Sequence, residues 1–200
     1  MSFYPGPVES DEEPGRLHLT DPRAMRALAH PTRLRLLGEL RAHGPQTVGM
    51  LSELVDEAVG SVSYHLRKLA EHGFVQEAPE HARSRRERWW RAAHVLTGWE
   101  PLEMLADPER KAASDLLRRA VLERYQQVFQ SYLAAEATFE AEWVRGTASG
   151  DRGFHLTAAE LQELRAELEA LAARWQQRSD PDRADARRVT LIYQAFRRPE

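Results

Sequence analysis

The stretch from Gly60 to Gly73, GSVSYHLRKLAEHG, limits what this chain can fold into. Val62, Leu66 and Leu69 fall at i, i+4 and i+7, which predicts a helix whose narrow apolar stripe must face a core. The opposite face carries Ser61, Tyr64, Arg67 and Lys68. Two of these are cations and two carry hydroxyls, an inventory suited to phosphate oxygens and base edges. By themselves the same residues also fit an ordinary solvated helix face, so the flanking sequence has to decide between the two.

Upstream, Asp21-Pro22 starts a helix, with Asp21 as N-cap and Pro22 at the first position, where its missing N–H costs nothing. Pro31 disfavours helical geometry at His30 and keeps that helix short. Leu34, Leu37 and Leu40 line one side of a second helix that stops at Gly44-Pro45. Thr47 is a candidate N-cap for a third, through Val48, Leu51 and Leu54, and a turn over Asp56 to Gly60 leads into the opening stretch. Short helices feeding a tight turn and a more basic helix have the form of a helix-turn-helix. Downstream of Gly73, an expected C-cap, FVQEAPE and RERWWRA read as two strands of a hairpin. The loop between them, EHARSRR, holds Arg83, Arg85 and Arg86, with Arg88 and Arg91 on the return strand. A hairpin directly after a recognition helix is the wing of a winged helix. Trp89 and Trp90 are adjacent on that strand, so one should face the core and the other the opposite surface.

Charge supports a local anionic partner. The net charge is −3, yet residues 21–93 carry 12 Lys/Arg against 9 Asp/Glu, while both flanks are acidic. The chain has 42% hydrophobic residues and no cysteine, which excludes disulfides and thiolate metal sites and fits a reducing compartment. No apolar run approaches the ~18 residues of a membrane span. MSFYPGPVESDEEPG lacks a basic segment followed by an apolar one, so no secretory leader is expected and a cytoplasmic, nucleoid-associated location is. Residues 1–15 read as a disordered acidic tail and residues 16–95 as the DNA-binding domain. Within it, RLHL (Arg16 to Leu19) alternates like a short edge strand.

Residues 96–200 read as a helical dimerisation and effector region. A helix from Pro108 to about Val144 would exceed roughly 50 Å and must project or pack against a partner; its apolar stripe is too wide for one neighbouring helix, so a second copy of the chain is inferred on its other side. Its aromatic residues Tyr125, Phe129, Tyr132, Phe139 and Trp143 fit core and dimer packing, or an effector pocket for an apolar small molecule. Thr157-Ala158-Ala159-Glu160 is a capping box opening another helix. Leu161, Leu164, Leu168, Leu171 and Trp175 repeat along it at 3-4-3-4 spacing, the seam of a paired helix, so the two helices should form an antiparallel hairpin. RRVTLIYQAFRRP, Arg187 to Pro199, reads as a terminal strand, with Arg16 to Leu19 as its candidate partner. The expected fold is mainly α with a small β wing: a winged helix-turn-helix followed by a helical region and a C-terminal strand.

ALAHPTRLRLLGEL (Ala27 to Leu40), SVSYHLRKLAEHGFV (Ser61 to Val75) and RRERWWRA (Arg85 to Ala92) resemble the winged helix-turn-helix of bacterial ArsR-type transcriptional regulators. The resemblance covers roughly residues 20–95. It implies a homodimeric repressor or activator with one recognition helix per subunit in adjacent major grooves of double-stranded DNA. On this reading Ser61, Ser63 and Tyr64 approach bases or the first phosphates, His65 contacts DNA or bonds within the domain, and Arg67 and Lys68 hold phosphates. Arg83, Arg85, Arg86 and Arg88 serve the wing. The metal-sensing members carry a cysteine pair where this chain reads TVGMLSEL, and no His pair falls at i, i+3 or i+4 within a helix, so no metal or cofactor is expected. A phosphate-binding Gly-rich loop, a Cys nucleophile and G-x-S-x-G are all absent from the sequence, which argues against an enzyme. The alternative is a winged helix used for protein–protein interaction without sequence-specific DNA binding.

Overall fold

In the computed structural model the described residues are 3–4, 15–84 and 87–199; the remainder of the expected N-terminal tail, together with Arg85 and Arg86, lies outside them. The chain forms two units, divided between Ala134 and Ala135. In order, the first contains β1 (Phe3–Tyr4), β2 (Arg16–His18), α1 (Pro22–Leu28), α2 (Pro31–His43), β3 (Gln46–Thr47), α3 (Val48–Val55) and α4 (Val59–Glu71). Then come β4 (Val75–Glu77), a 3-10 turn (Pro79–His81), β5 (Trp89–Ala92), β6 (Leu96–Gly98), α5 (Pro101–Leu105) and α6 (Pro108–Ala135).

The helix starts follow local chemistry. The Asp21 carboxylate accepts from Arg23 N at the start of α1, and Thr47 Oγ1 accepts from Met50 N at the start of α3, each satisfying an amide that no helical carbonyl can reach. Two small sheets complete the domain. One, ordered β3-β5-β4, is antiparallel and forms the wing's base, with Gln46 opposite Trp90 and Val75 opposite Ala92. The other, β1-β6-β2, is parallel, with Leu17 opposite Thr97.

Val62, Leu66 and Leu69 have no solvent exposure and pack with Leu28, Leu34, Leu37, Leu51, Phe74 and Trp90 in one core. Adjacent Trp89 is only partly buried, so the two tryptophans divide between faces as strand alternation requires. The core continues past residue 95, because Trp99, Met104, Ala113, Leu117 and Val121 join the same cluster. That packing carries the compact unit to Ala134.

Three sequence expectations are corrected. α6 stops at Ala135, short of Val144; Thr138 Oγ1 donates to Ala135 O and Phe139 N to Glu136 O, closing a 3-10 turn that ends the helical ladder. At 28 residues α6 is about 42 Å long. Within the acidic tail, Phe3–Tyr4 pair with β6. The strand expected over Arg187 to Pro199 is absent among the described residues. β2 pairs instead with β6, and β-branched and aromatic composition makes no strand without an edge to bond to.

The second unit contains a 3-10 turn (Glu136–Thr138), α7 (Ala141–Gly146) and α8 (Ala158–Arg178). The capping box of α8 is formed: Thr157 Oγ1 accepts from Glu160 N, and Glu160 Oε2 accepts from Thr157 N. α6 and α8, expected to pair as a hairpin, belong to different units. No helix among the described residues is long and apolar enough to cross a membrane.

Leu66→Ala should destabilise the chain by about 2–5 kcal/mol in denaturant unfolding, since a fully buried leucine leaves a cavity. A loss below roughly 1 kcal/mol would show that the stripe of α4 is not held in the core.

Candidate nucleic-acid interface

α3 and α4 are joined by a turn that holds them rigidly. Asp56 occupies the left-handed region at φ 52°, which a short polar side chain tolerates. Arg35 of α2 donates from Nη1 to Val55 O (2.7 Å) and from Nη2 to Leu54 O (2.6 Å), covering carbonyls at the end of α3. The Glu57 carboxylate accepts from Thr32 Oγ1 on α2 (2.5 Å) and from Ser61 Oγ on α4 (2.7 Å). One side chain therefore ties the entry of α4 to the start of α2. At the far end of α4, Gly73 has φ +70°, with Phe74 N donating to Leu69 O and Gly73 N to Ala70 O. This Schellman closure drives Phe74 into the core.

With both ends fixed, the exposed face of α4 is defined. Tyr64 is 49% exposed and Arg67 is exposed, with Ser63 half-buried between turns. The other expected contacts are partly committed. Ser61 is engaged by Glu57, and Lys68 Nζ donates to Glu71 Oε2 at 2.7 Å. That bond raises the Lys68 pKa and lowers that of Glu71. His65, expected either to contact DNA or to bond within the domain, is buried at 8% exposure, with its ring 4.5 Å from that of His30. The helical register that buries Val62, Leu66 and Leu69 turns it inward.

Arg83 is exposed on the wing, its backbone N–H held by Glu87 Oε2 at 2.8 Å. Arg88 is paired with Glu77 and lies 5.5 Å from the Trp90 ring centroid, and Arg91 pairs with Glu80 at 2.8 Å. The hairpin's base is thus neutralised by its own carboxylates, while Arg83, nearer the turn, is exposed.

Behind α4 lies a cluster that the sequence alone does not reveal, formed by His30, Arg33, Glu57 and His65. His30 and Arg33 at the start of α2 lie more than 20 residues from Glu57 and His65, and the packing of α2 against α4 brings the two pairs together; the signal present in the sequence is the polar residue Glu57 inside the turn. The Thr32 and Ser61 hydroxyls and the two imidazoles hold Glu57 below the usual carboxylate range against the opposing effect of burial. Burial, then Arg33, then His65 depress His30, while Glu57 acts the other way. Burial and then Arg33 likewise depress His65. His30 also accepts from Thr32 N through Nδ1, a cap that needs that nitrogen unprotonated.

The expected effector residues are divided. Tyr125, Phe129 and Tyr132 lie on α6 in the first unit, with the last two rings stacked at 5.9 Å. Phe139 and Trp143 lie in the second, where Phe139 and Val144 line an open depression of about 530 Å³ that Trp143 does not border. Among the described residues, no group of three His, Asp or Glu side chains could hold a metal ion.

Because His30 and His65 bind protons more weakly in the folded chain than in the unfolded one, their contribution to stability is full above about pH 6.5 and is lost as the pH falls toward the folded-state values. The melting temperature should fall between about pH 7 and pH 5. A His30→Asn/His65→Gln double variant, which keeps a cap acceptor at residue 30, should show a flatter profile over that window. Equal pH slopes in the two proteins would contradict this.

A family profile described as a helix-turn-helix domain matches residues 28–77, from the end of α1 through β4. No curated protein sequence matches the chain. Similar solved structures include a possible transcriptional regulatory protein fragment from Mycobacterium bovis, 21% identical, covering 52% of this chain and 87% of that one at TM-score 0.32. A MarR mutant from E. coli complexed with operator DNA is 14% identical over 74% of this chain and 83% of that one, at TM-score 0.32. A transcriptional regulator from Thermotoga maritima is 14% identical over 77% and 87%, at TM-score 0.31. Likenesses at that level carry no argument, so the chain's helix-turn-helix rests on the profile match and on the geometry of α3, the Asp56 turn and α4.

Proposed function

We propose that this chain is a sequence-specific DNA-binding transcriptional regulator of the ArsR type, a homodimeric repressor acting on double-stranded DNA in the cytoplasm. The observation that carries the reading is the α4 face: Tyr64 and Arg67 stand exposed while Val62, Leu66 and Leu69 are locked inside. A helix so presented, followed by a hairpin with Arg83 exposed nearer its turn, has the parts needed to enter a major groove and touch the flanking backbone. The helix-turn-helix profile and the three ArsR-like motifs support the same reading. The aromatic residues Phe129 and Tyr132, stacked on α6, support control by an apolar small-molecule effector.

Ser63 and Tyr64 are assigned to base edges or the first phosphates, Arg67 to a phosphate beside α4, and Arg83, Arg85 and Arg86 to the flanking phosphates. Lys68 and Arg88 reach DNA by exchanging their carboxylate partners for phosphate, which makes their net contribution smaller. The neutralised base of the wing also favours a second reading, a protein-interaction module. Competition by unrelated duplex at two salt concentrations separates the two, because such a module forms no sequence-preferring complex.

Selection of bound fragments from random duplex should enrich a palindrome whose half-sites are about one helical turn apart. Absence of any enriched sequence would overturn the reading. Replacing Arg83, Arg85 and Arg86 with alanine should reduce the slope of log affinity against log salt by about one unit for each phosphate no longer neutralised. An unchanged slope would remove the wing from the interface.

A further inference from the structure

The inward stripe of α4 has an outward counterpart. Val62, Leu66 and Leu69 fall at i, i+4 and i+7 and are fully buried; Gly60, Tyr64 and Arg67 repeat that spacing on the opposite side, and all three are exposed. The line that faces away from the core therefore begins with a residue that has no side chain. Gly60 is the second residue of α4 and has an ordinary helical backbone, unlike Gly73, whose φ of +70° calls for glycine. Beyond its chain neighbours and its own helix's backbone, a Cβ at Gly60 would meet no heavy atom within 4 Å among the described residues, not even in the Tyr64 side chain one turn on. Neither the local conformation nor a close neighbour in the described fold asks for glycine here.

Glycine is less favourable in a helix than alanine, so a glycine that the fold does not use is a local cost. What it supplies is clearance, a stretch of bare backbone at the centre of the outward face to which a partner can come into van der Waals contact. One side of this gap is apolar, because Val59, the first residue of α4, is 54% exposed. Ser63 and Tyr64 stand in the next turn and lean back toward the start of the helix, as helical side chains do. The entry is held in place by Glu57, which joins Ser61 to Thr32 on α2. A recess left by one missing side chain, with an isopropyl group beside it, fits the apolar group that a major-groove edge presents, the C5-methyl of thymine.

We propose that Gly60 and Val59 form a thymine-reading recess, in which the methyl of one thymine per half-site enters the space above Gly60 and packs against Val59. The inference rests on the DNA-binding reading above and deepens it, since it assigns base choice to the first turn of α4 and names the base.

The test uses the full-length chain and a duplex selected from random sequence, with each thymine replaced in turn by deoxyuridine, which lacks the methyl. The wild type should lose affinity by roughly fourfold at one such position in each half-site, the worth of one buried methyl. Gly60→Ala, which moves a methyl from the base to the helix, should bind the thymine duplex at least about fivefold more weakly than the wild type. It should regain most of that loss on the duplex carrying deoxyuridine at the same position. Val59→Ala should bind the thymine duplex more weakly and respond little to deoxyuridine there, because the two changes remove one contact. Gly60→Ala should melt at the wild-type temperature or slightly above it; a clear fall would mean that the fold itself needs the glycine and would overturn the proposal. Wild-type affinity in Gly60→Ala, a wild type indifferent to every deoxyuridine, or a loss that no deoxyuridine restores would also overturn it, while leaving the DNA-binding reading standing. A wild type that selects no sequence would overturn both.

Discussion

The fold depends on a three-residue constraint: Val62, Leu66 and Leu69 are buried completely in a core that draws on every helix from α1 to α6. Burying an aliphatic side chain of this size contributes roughly 1.5–3 kcal/mol, so rotating α4 by even one position would expose apolar surface and bury Arg67 or Tyr64 in its place. The helix therefore has one stable orientation. Its outward face is a consequence of what its inward face buries, and any role for Tyr64 or Arg67 inherits that rigidity.

Polar contacts refine what burial sets. Arg35 closes the end of α3, Glu57 joins the start of α4 to the start of α2, and the Gly73 closure ends α4 against Phe74. These positions lie in or beside turns, where unpaired backbone groups would otherwise be left without partners. The electrostatic pattern around them is uneven. Lys68, Arg88 and Arg91 have carboxylate partners within the chain, whereas Arg33 has an orphaned donor. Paired surface cations are worth little to either stability or binding, while an unpaired, partly buried one is a cost to the fold.

The local signals were legible wherever one residue's chemistry decides the matter. Asp21-Pro22, Thr47 and the Thr157 capping box start helices in the structure as their caps require, and the α4 stripe lies in the core. Elements that depend on distant partners were not legible. β6 and its parallel pairing with β2 rest on two short segments about 80 residues apart, and the terminal stretch from Arg187 has strand-like composition but forms no strand among the described residues. The end of α6 was not legible either, because the sequence from Ala134 to Thr138 contains neither Gly nor Pro, yet the chain tightens there into a 3-10 turn. At the candidate site, exposure of Tyr64 and Arg67 follows from periodicity, while the inward turn of His65 and the stranded Arg33 appear only once α2 is packed against α4.

The central claim is that the exposed face of α4 reads the major groove. Dimethyl sulfate interference on a selected duplex tests it directly, because guanine N7 lies in the major groove and adenine N3 in the minor one. Methylation at guanine N7 within each half-site should block the complex, with the block repeating about one helical turn away. Interference confined to adenine N3, or none at either position, would contradict the claim.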